Sequence, residues 1–588
     1  MTADREATDS GEKHTGKSDF NAVIKVGDVE FQVHKDVLGN CSEFFRALFK
    51  NWSVPDQREF TISVVSSDVM KVIIDFMCDG CVSVTEENLL DVVLAADFFN
   101  IAEMIDRCNS FLEKHLSLGN CISVWKGTRF LHPVPPICRK AFTYVTTHFE
   151  ELVSSKEFFQ LTAEELTLVL ERDELNVREE NNVFEAILRW VDQNSEEQKP
   201  QLAKLLSKVR LALLPLDYIS STVITNDLVS SDPDSLVMVK DATQTIRVIK
   251  TFRPKVLAFR NLLGRPRLST ITLLACGMLM GSSLYYIVSY DIRVDSWITV
   301  TSSLPTQCER FAVVFLEGFL YCIGGYTKLA VTNKVYRFDL STQTWRQMPD
   351  MNDRRDNPAV TVLAGQIYAI GGSCRRHPLK SAERYRPKEQ QWRLIAPMNE
   401  CRSYTSCASY RNMIYVCGGF NGRLPLQSAE CYCPDQDQWT TIASMMSRRA
   451  GLGVIAHADR IYAVGGANGR KVLSTVEAYN PKTQSWKAAS PMLSPRKSFG
   501  IAAVEDCIYA VGGFNGRSFI RAVEYYSPDK DAWSVARNIK NISGTCGCCA
   551  VQGLSNMGDY MFPRDCLPSL PSQYHMSRQI QPYKSVVY

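Results

Sequence analysis

Two sets of arginines recur at a fixed pitch in the second half of this 588-residue chain. Members of the first set each lie 16 residues before a Gly-Gly pair, and members of the second set each lie four residues after one. The first set is Arg355, Arg402, Arg449 and Arg496, and the second set is Arg376, Arg423, Arg470 and Arg517. A guanidinium group presents five donors in a planar fork that matches a carboxylate or a phosphate. The spacing therefore predicts a basic substrate-binding site for an acidic or phosphorylated protein segment, with bracing of the fold as the alternative for the first set.

Residue types that catalyse reactions or bind metals form no comparable pattern. The sequence has no phosphate-binding P-loop, no G-x-S-x-G nucleophile motif and no H-E-x-x-H zinc motif. The repeated region holds only His377 and His457, too few histidines for a copper site that also needs tyrosines. The cysteines near its end, Cys546, Cys548 and Cys549, lack the second pair or the histidines of a zinc site. We therefore expect no catalytic residue, no metal and no cofactor.

The arginines belong to a repeat of 47 residues that predicts a β-propeller. Five Gly-Gly pairs share this pitch: Gly324-Gly325, Gly371-Gly372, Gly418-Gly419, Gly465-Gly466 and Gly512-Gly513. Six tryptophans stay in phase with the pairs: Trp297, Trp345, Trp392, Trp439, Trp486 and Trp533. Each unit divides into four short strands, which is the pattern of a propeller blade. Six blades are predicted, and the loops that carry the two sets of arginines should open on the same face of the propeller.

The first blade is irregular. Cys276-Gly277-Met278 stands where the Gly-Gly pair should be, and 23 uncharged residues lie between Arg267 and Asp291. Such a run is long enough to cross a membrane. Its serines, threonines and glycines, and Trp297 following in phase, favour a buried pair of strands instead. The last strand, residues 547–551, has no blade of its own and is expected to close the ring.

The ends of the chain and its charge give further expectations. Residues 1–18 are polar and look disordered, and they contain no apolar core of a signal peptide. The twenty cysteines are scattered, which favours reduced thiols and a cytoplasmic location. A net charge of +3 gives no reason to expect a nucleic-acid or membrane partner. A basic run within residues 247–267 reads most simply as a solvated linker, and the tail after residue 553 reads as flexible.

The first part of the chain has a mixed pattern and the next part is helical. A hairpin is predicted over residues 22–26 and 29–33 with Gly27-Asp28 as the turn, followed by amphipathic helices over 36–50, 68–78, 86–97 and 101–116. From residue 120 to 225 the pattern is all-helical, with Thr162-x-x-Glu165 as a capping box and Trp190 on a buried stripe.

Motifs in all three regions resemble known families. Phe31-x-x-His34-Lys35-x-x-Leu38 followed by Ser42-x-x-Phe45-Arg46-x-Leu48-Phe49 is similar to the signature of the BTB (POZ) family. Asp173-Glu174-Leu175-Asn176-Val177 and Ala186-Ile187-x-x-Trp190-Val191 resemble the BACK domain, and the 47-residue repeat resembles the kelch repeat. In this order the three match the kelch-like (BTB-BACK-kelch) family. The resemblance implies a multidomain protein with an α+β BTB domain, an all-α BACK domain and an all-β six-bladed kelch propeller.

The expected boundaries follow from these patterns: a disordered N-terminus over 1–18, BTB over 19–116, BACK over 120–225, a basic linker over 226–268, the propeller over 269–553 and a flexible tail over 554–588.

The resemblance also implies a function. Kelch-like proteins are non-catalytic adaptors of a RING ubiquitin ligase: BTB binds cullin-three and forms a homodimer, and the kelch propeller binds the substrate protein. The cullin contact implied here uses Phe44, Phe45, Leu48 and Trp52. Two departures from the BTB family weaken the match: residues 1–18 cannot supply the apolar helix exchanged in BTB dimers, and Asn21 stands where the family has an aspartate. In addition, residues 51–56 lack the glutamate of the family's cullin motif. The alternative is a kelch scaffold without ligase activity, cytoskeletal or transcriptional.

Overall fold

The computed structural model describes residues 20–54, 56–80, 84–85, 88–129, 136–193, 195–252, 258–279, 285–301, 308–327, 329–539, 542–554 and 556–568. They form two compact units, one comprising Met1–Glu171 and Asn182–Leu205 and the other Arg172–Asn181 and Leu206–Tyr588. The predicted disorder of residues 1–18 and the end of the predicted tail lie outside the described residues.

The first unit begins with the predicted hairpin. Ala22–Val26 pairs antiparallel with Val29–Val33 across the turn at Gly27, whose positive φ of 59° suits glycine. The third strand, Glu59–Thr61, pairs parallel to the central first strand. Five helices accompany this sheet: Lys35–Cys41, Glu43–Lys50, Ser67–Asp79, Leu89–Phe98 and Ala102–His115.

One predicted helix is divided in two. The sequence pattern predicts a single helix over 36–50, whereas the chain leaves helical geometry at Ser42, which has φ −144° and ψ 127°. The Ser42 hydroxyl accepts a hydrogen bond from the Phe45 N–H and donates to the Phe99 carbonyl at 2.5 Å. Ser42 is therefore the N-cap of the second helix, and capping outweighs the continuous apolar stripe.

The remaining helices confirm the all-helical region. They are Cys121–Thr128, Pro136–Thr147, Phe149–Leu152, Ala163–Glu171, Glu180–Gln193, Ser195–Gln198, Leu202–Leu206, Leu216–Tyr218, Asp227–Ser231 and Pro233–Phe252, with short 3-10 turns at Phe158–Gln160, Lys199–Gln201, Leu211–Leu213 and Leu262–Gly264 and a π turn at Ile219–Val223. The capping box is present, because the Thr162 N–H donates to Glu165 Oε2 at 2.9 Å and the Glu165 N–H donates to Thr162 Oγ1 at 3.3 Å. Trp190 is buried as predicted, and its indole N–H donates to the Leu161 carbonyl at 2.9 Å.

The second unit contains six four-stranded antiparallel sheets, which are the predicted blades. In order from the axis outwards, blade one is Ile542–Gln552, Ile271–Leu279, Tyr285–Asp291 and Ser296–Thr301; blade two is Ala312–Leu316, Phe319–Ile323, Val335–Asp339 and Thr344–Met348; blade three is Ala359–Leu363, Gln366–Ile370, Ala382–Arg386 and Gln391–Ile395; blade four is Ser406–Tyr410, Met413–Cys417, Ala429–Cys433 and Gln438–Ile442; blade five is Gly453–His457, Arg460–Val464, Val476–Asn480 and Ser485–Ala489; blade six is Gly500–Val504, Cys507–Val511, Val523–Ser527 and Ala532–Ala536. Two short ladders, Cys308–Glu309 with Tyr326–Thr327 and Ser373–Cys374 with His377–Pro378, lie in the loops.

The blades close into a ring. The innermost strands contact one another in succession from blade one to blade six, and the sixth contacts the first again. The strand that completes blade one comes from the far end of the repeat, since Ile542–Gln552 pairs with Ile271–Leu279. Both predictions for this blade are thereby confirmed: the uncharged run is a pair of strands, and the last strand closes the ring.

Aromatic residues join each blade to its neighbour. Each phased tryptophan is paired across two strands with an aromatic residue of its own blade, as Tyr432 is with Trp439. The Trp439 indole N–H then donates to the Ala396 carbonyl of the preceding blade at 2.7 Å. The equivalent bond runs from Trp297, Trp392, Trp486 and Trp533 to Arg537, Pro349, Ala443 and Ser490 respectively.

The predicted linker and tail are more ordered than expected. Residues 227–252 form two helices, with Val239, Ala242 and Ile246 buried. Two further short 3-10 turns, Met557–Tyr560 and Arg564–Cys566, continue the chain past the propeller. The tail up to residue 568 is packed and not loose, because the Tyr560 side chain is fully buried.

Ion pairs hold the end of the predicted linker. Arg267, expected to be solvated, is 4% exposed and pairs with Glu180 at 2.6 Å. Asp173 bridges Arg210 and Arg265 at 2.8 and 2.6 Å. Burial alone would raise the pKa of Asp173, but the hydrogen bonds and charges of the two arginines hold that pKa below its usual value. Asp173 therefore contributes stability above its unfolded pKa, and this contribution is lost as pH falls through the lowered pKa of the folded state.

Candidate functional site

The first set of arginines is buried, which corrects the exposure expected from the sequence. Arg355, Arg402, Arg449 and Arg496 are each at most 1% exposed. In Arg402 the Nε donates to Glu430 Oε1 at 3.0 Å, Nη1 to the Gly418 and Ser428 carbonyls at 2.8 and 3.1 Å, and Nη2 to Ser428 Oγ and Glu430 Oε1 at 2.9 and 2.8 Å. No donor of Arg402 is left for a ligand. The geometry therefore supports the bracing alternative for this set.

Each buried arginine has a glutamate partner 28 residues further along the chain, on the third strand of the same blade. The pairs are Arg355–Glu383, Arg402–Glu430, Arg449–Glu477 and Arg496–Glu524. Burial lowers the pKa of Arg449 from its usual value, and the charge of Glu477 opposes that shift. This fixed spacing of arginine and glutamate was visible in the sequence and would have indicated the brace.

The backbone of the same arginines joins neighbouring blades. The Arg402 carbonyl accepts from the Gly372 N–H of blade three at 2.9 Å, while its side chain lies in blade four. A Cβ atom at Gly371 would lie only 2.4 Å from that carbonyl oxygen, and Gly371 and Gly372 have φ of 59° and 87°. The Gly-Gly pair is thus required by the approach of the arginine from the next blade.

The second set of arginines lies at exposed loop tips. Arg376, Arg423, Arg470 and Arg517 are all exposed, and none of the four guanidinium groups forms an ion pair with a described residue. In blade four, Asn421 Oδ1 accepts from the N–H groups of Arg423 and Leu424 at 3.0 and 3.1 Å. Asn468 and Asn515 hold Arg470 and Arg517 in the same way. In blade three, Arg375 and Arg376 both have positive φ and form the tight turn of a short hairpin.

Both kinds of loop open on one face, as predicted. The residue after each buried arginine pairs with the residue after the Gly-Gly of the same blade: Ser403 with Phe420, Ala450 with Ala467, and Lys497 with Phe514. We call this surface the loop face. Besides the four tip arginines, it exposes the cations Arg354, Arg448 and Lys471 and the apolar residues Tyr404, Leu424 and Phe519. The exposed, unpaired charge at the loop tips is positive.

A cavity of about 460 Å³ runs along the axis, lined by the innermost strands. Five residues at equivalent positions surround its mouth, all with positive φ: Arg310, Asn357, Tyr404, Gly451 and Ser498. Backbone hydrogen bonds connect some of them from blade to blade, with the Gly451 N–H donating to the Tyr404 carbonyl and the Ser498 N–H to the Gly451 carbonyl, both at 2.7 Å. Backbone strain of this kind is often found at binding sites.

One acidic residue neutralises a cation at this mouth. Arg310 pairs with Asp356 at 3.1 Å, and its guanidinium lies 5.6 Å from the centre of the Tyr326 ring. Burial raises the pKa of Asp356 above its usual value, although the charge of Arg310 acts against this. Arg310 was not identified from the sequence. It lies at the mouth of the cavity, and the carboxylate of Asp356 offsets its charge.

The four residues implied in cullin binding have different environments. Phe45 is fully buried, stacked 5.0 Å from Phe99, and this corrects its expected role as a direct contact. Phe44 and Leu48 are half-buried, and Trp52 is 64% exposed. The Trp52 ring lies 5.7 Å from Phe44, which also contacts the half-exposed Phe98 at 5.2 Å. Trp52, Phe44 and Phe98 therefore form an exposed aromatic patch.

Among the described residues, no three His, Cys, Asp or Glu side chains are placed to hold a metal ion. None of the described helices has both the length and the apolar character to span a bilayer.

Comparison with protein families covers most of the chain. The family model described as BTB/POZ domain matches residues 12–116, and the one described as BTB And C-terminal Kelch (BACK) matches residues 121–224. A KLHDC2/KLHL20/DRC7 Kelch-repeats domain matches residues 280–448, and the Kelch motif matches residues 448–493 and 495–539.

Curated relatives share parts of this arrangement. Kelch-like protein 40b of Danio rerio is 36% identical over 226 residues, 38% of this chain and 36% of the relative. Kelch-like protein 40 of Xenopus tropicalis is 33% identical over 229 residues, 38% of this chain and 37% of the relative. Kelch-like protein 3 of Homo sapiens is 30% identical over 314 residues, 52% of each chain. The matched part thus spans from about a third to about half of these relatives.

Replacing a buried arginine tests the brace. Arg402→Ala leaves Glu430 buried without its partner, and breaking such a pair costs about 3–5 kcal/mol. We expect a melting temperature several degrees lower in differential scanning calorimetry, whereas Arg423→Ala at the tip of the same blade should melt like the parent. An unchanged melting temperature for Arg402→Ala would contradict the brace.

Asp356→Asn tests the neutralised cation at the mouth. An acid whose folded pKa is raised destabilises the fold when ionised, and the cost disappears as pH falls through that raised pKa. We expect Asp356→Asn to melt at or above the parent temperature at pH 7, and the difference to shrink in acid. Glu317→Gln, at an exposed position in the turn between the first two strands of blade two, is the control and should show no such trend. A lower melting temperature for Asp356→Asn at pH 7 would show that its pair with Arg310 stabilises the fold.

Proposed function

The chain has the BTB-BACK-kelch domain organisation, and from it we propose a substrate-recognition adaptor of a cullin-three RING ubiquitin ligase. In this proposal the BTB domain binds cullin-three, and the loop face of the propeller binds the substrate protein. The adaptor supplies no catalytic group of its own and acts in the cytoplasm. The observation that carries the substrate-binding half is the row of exposed, unpaired arginines at the loop tips.

The chemistry of the loop face favours an acidic or phosphorylated segment of the substrate. Charge-assisted pairs between arginine and carboxylate or phosphate are stronger than neutral hydrogen bonds. The asparagine turns fix the backbone beneath Arg423, Arg470 and Arg517. Less freedom is then lost on binding than from mobile loops, which favours affinity. The buried arginines contribute indirectly, because they hold the loops that present the tips.

The aromatic patch around Trp52 is the proposed cullin contact. Exposed tryptophan with aromatic neighbours is a frequent centre of protein interfaces. We assign the contact to this patch and not to Phe45, because Phe45 is buried in the core. The missing glutamate after this helix does not affect the aromatic contact itself.

A homodimer through the BTB domain is also proposed. Light scattering of the full chain measures this, and a monomer at tens of micromolar would contradict it. We also propose that long stretches of the sequence resemble kelch-like protein ten. This finer assignment stays a prediction, since the relatives described above are kelch-like proteins 40 and 3.

The second candidate function is a kelch scaffold without ligase activity, cytoskeletal or transcriptional. The loop face would serve such a scaffold equally well, whereas the Trp52 patch would then need no cullin. Capture of cullin-three by the full-length chain separates the two functions.

Reversing charge at two loop tips tests the substrate site. Arg423→Glu with Arg470→Glu should weaken binding of a fluorescein-labelled polyglutamate peptide at least about tenfold, a change of about 1.4 kcal/mol. Binding by the parent should also weaken as salt rises, because exposed charges are screened. Lys388→Glu with Lys487→Glu, at two exposed positions outside the loop tips, is the control with the same change in net charge. Equal anisotropy titrations for the loop-tip variant and the control would place recognition elsewhere.

Truncating the aromatic patch tests the cullin contact. Trp52→Ala in the full-length chain should reduce capture of purified cullin-three about tenfold, the scale of one lost interface anchor. Because Trp52 is mostly exposed, circular dichroism should be unchanged. Val64→Ala, 58% exposed in the same domain, serves as the control. Full capture by Trp52→Ala would remove the patch from the proposal, and no capture by the parent would favour the scaffold.

A further inference from the structure

Blade two differs from its neighbours at the loop tip. Four residues after the second glycine, blades three to six carry Arg376, Arg423, Arg470 and Arg517, whereas blade two carries Leu329. Leu329 is 93% exposed, more than any other large apolar side chain among the described residues. A single exposed leucine is ordinary on a protein surface. Its place in a row that is otherwise arginine makes it a departure from the repeat.

The turn that carries Leu329 is built like the turns that carry the arginines. The N–H groups of Leu329 and Ala330 donate to Thr327 Oγ1 at 3.4 and 3.1 Å. In blade four, Asn421 Oδ1 accepts the two equivalent bonds. A threonine hydroxyl thus replaces the asparagine amide, and the Thr327 N–H closes the turn by donating to the Ala330 carbonyl at 2.9 Å. Leu329 therefore takes the structural position of a tip arginine and is held there.

A second side chain with an apolar ring, Tyr326, lies in the same loop as Leu329. It is 36% exposed and lies under the guanidinium of Arg310. The charge of Arg310 is offset by Asp356 at 3.1 Å. On the loop face, the blade-two end thus presents Leu329 and Tyr326 beside a neutralised cation and the exposed carboxylate of Glu309, while the tips of blades three to five present unpaired positive charge.

We propose that the segment bound by the loop face is acidic along most of its length and carries a bulky apolar side chain at one end. Leu329 and Tyr326 bind the apolar side chain, and Arg376, Arg423 and Arg470 bind the acidic residues. The proposal rests on the proposed function, since it specifies the segment that the same face takes. Burying Leu329 against an apolar group is favourable, whereas burying it against an acidic group would remove that charge from water at a cost. Leu329 therefore favours acidic segments that carry an apolar side chain at one end, and it fixes the direction in which such a segment lies across the blades.

Two labelled peptides test this with the full-length protein. Both contain the same run of glutamates, and one ends in leucines where the other ends in serines. We expect the parent to bind the leucine peptide about tenfold more tightly, the scale of one buried apolar side chain. The Leu329→Arg variant should show no preference for the leucine peptide, and it should bind the serine peptide at least as tightly as the parent does. Val535→Arg, 68% exposed on the outer strand of blade six, is the control and should keep the preference.

The outcomes separate this inference from the proposed function. If both peptides bind equally, or if Leu329→Arg keeps the preference, the inference is overturned and the acidic-segment site stands. If neither peptide binds the parent, both fail. If Leu329→Arg instead lowers the molar mass in light scattering, the apolar tip is a contact between copies of this chain, and the inference is again overturned.

Discussion

The propeller depends on the contacts of one buried arginine at the entrance of each of blades three to six. Its side chain satisfies the carboxylate of its own blade, while its carbonyl accepts the N–H of the second glycine in the preceding blade. One residue thus connects two blades, and the Gly-Gly pair and the arginine repeat are two parts of one contact. A side chain at the first glycine would collide with the arginine carbonyl, at 2.4 Å for Gly418 and Arg449. Because the contact recurs once in each of these blades, the arginines and the Gly-Gly pairs recur at the same interval of 47 residues.

Rigidity at the loop face follows from the same contact. The glutamate that binds Arg402 also accepts from the N–H groups of Asn399 and Glu400. The loop between two blades is therefore tied at several points, and its exposed residues are presented from a fixed backbone. A buried ion pair is not by itself a source of large stability, since desolvation offsets much of the attraction. Its contribution here is to specify one loop geometry, which a recognition surface requires.

The sequence predicts most of the fold because its signals are periodic or local. The hairpin at Gly27, the six blades and the capping box at Thr162 each depend on residues that lie close in the chain or recur in phase. The arginine repeat alone does not reveal burial of Arg402, because it has the same period whether it braces a blade or faces a ligand; the glutamate 28 residues later is the signal that distinguishes the two. Arg267 was misread for a related reason: its partner Glu180 lies 87 residues earlier, so composition suggested a solvated linker. The partner of a charged side chain is set by contacts between residues that are distant in the sequence, so composition alone does not reveal it.

The two positions in each repeat are subject to different constraints. An arginine at the buried position donates four or five side-chain hydrogen bonds within its own blade, and its carbonyl accepts from a glycine of the preceding blade, so a substitution there disturbs two blades. At the tips of blades two, four, five and six, the turn is held by the asparagine or threonine two residues earlier, and the exposed tip side chain forms no ion pair with a described residue. Leu329 shows that this position accepts another residue while the turn remains. Recognition can therefore diverge blade by blade at the tips while the Arg-Glu-Gly contact keeps the ring unchanged, which is how one repeat can support different specificities.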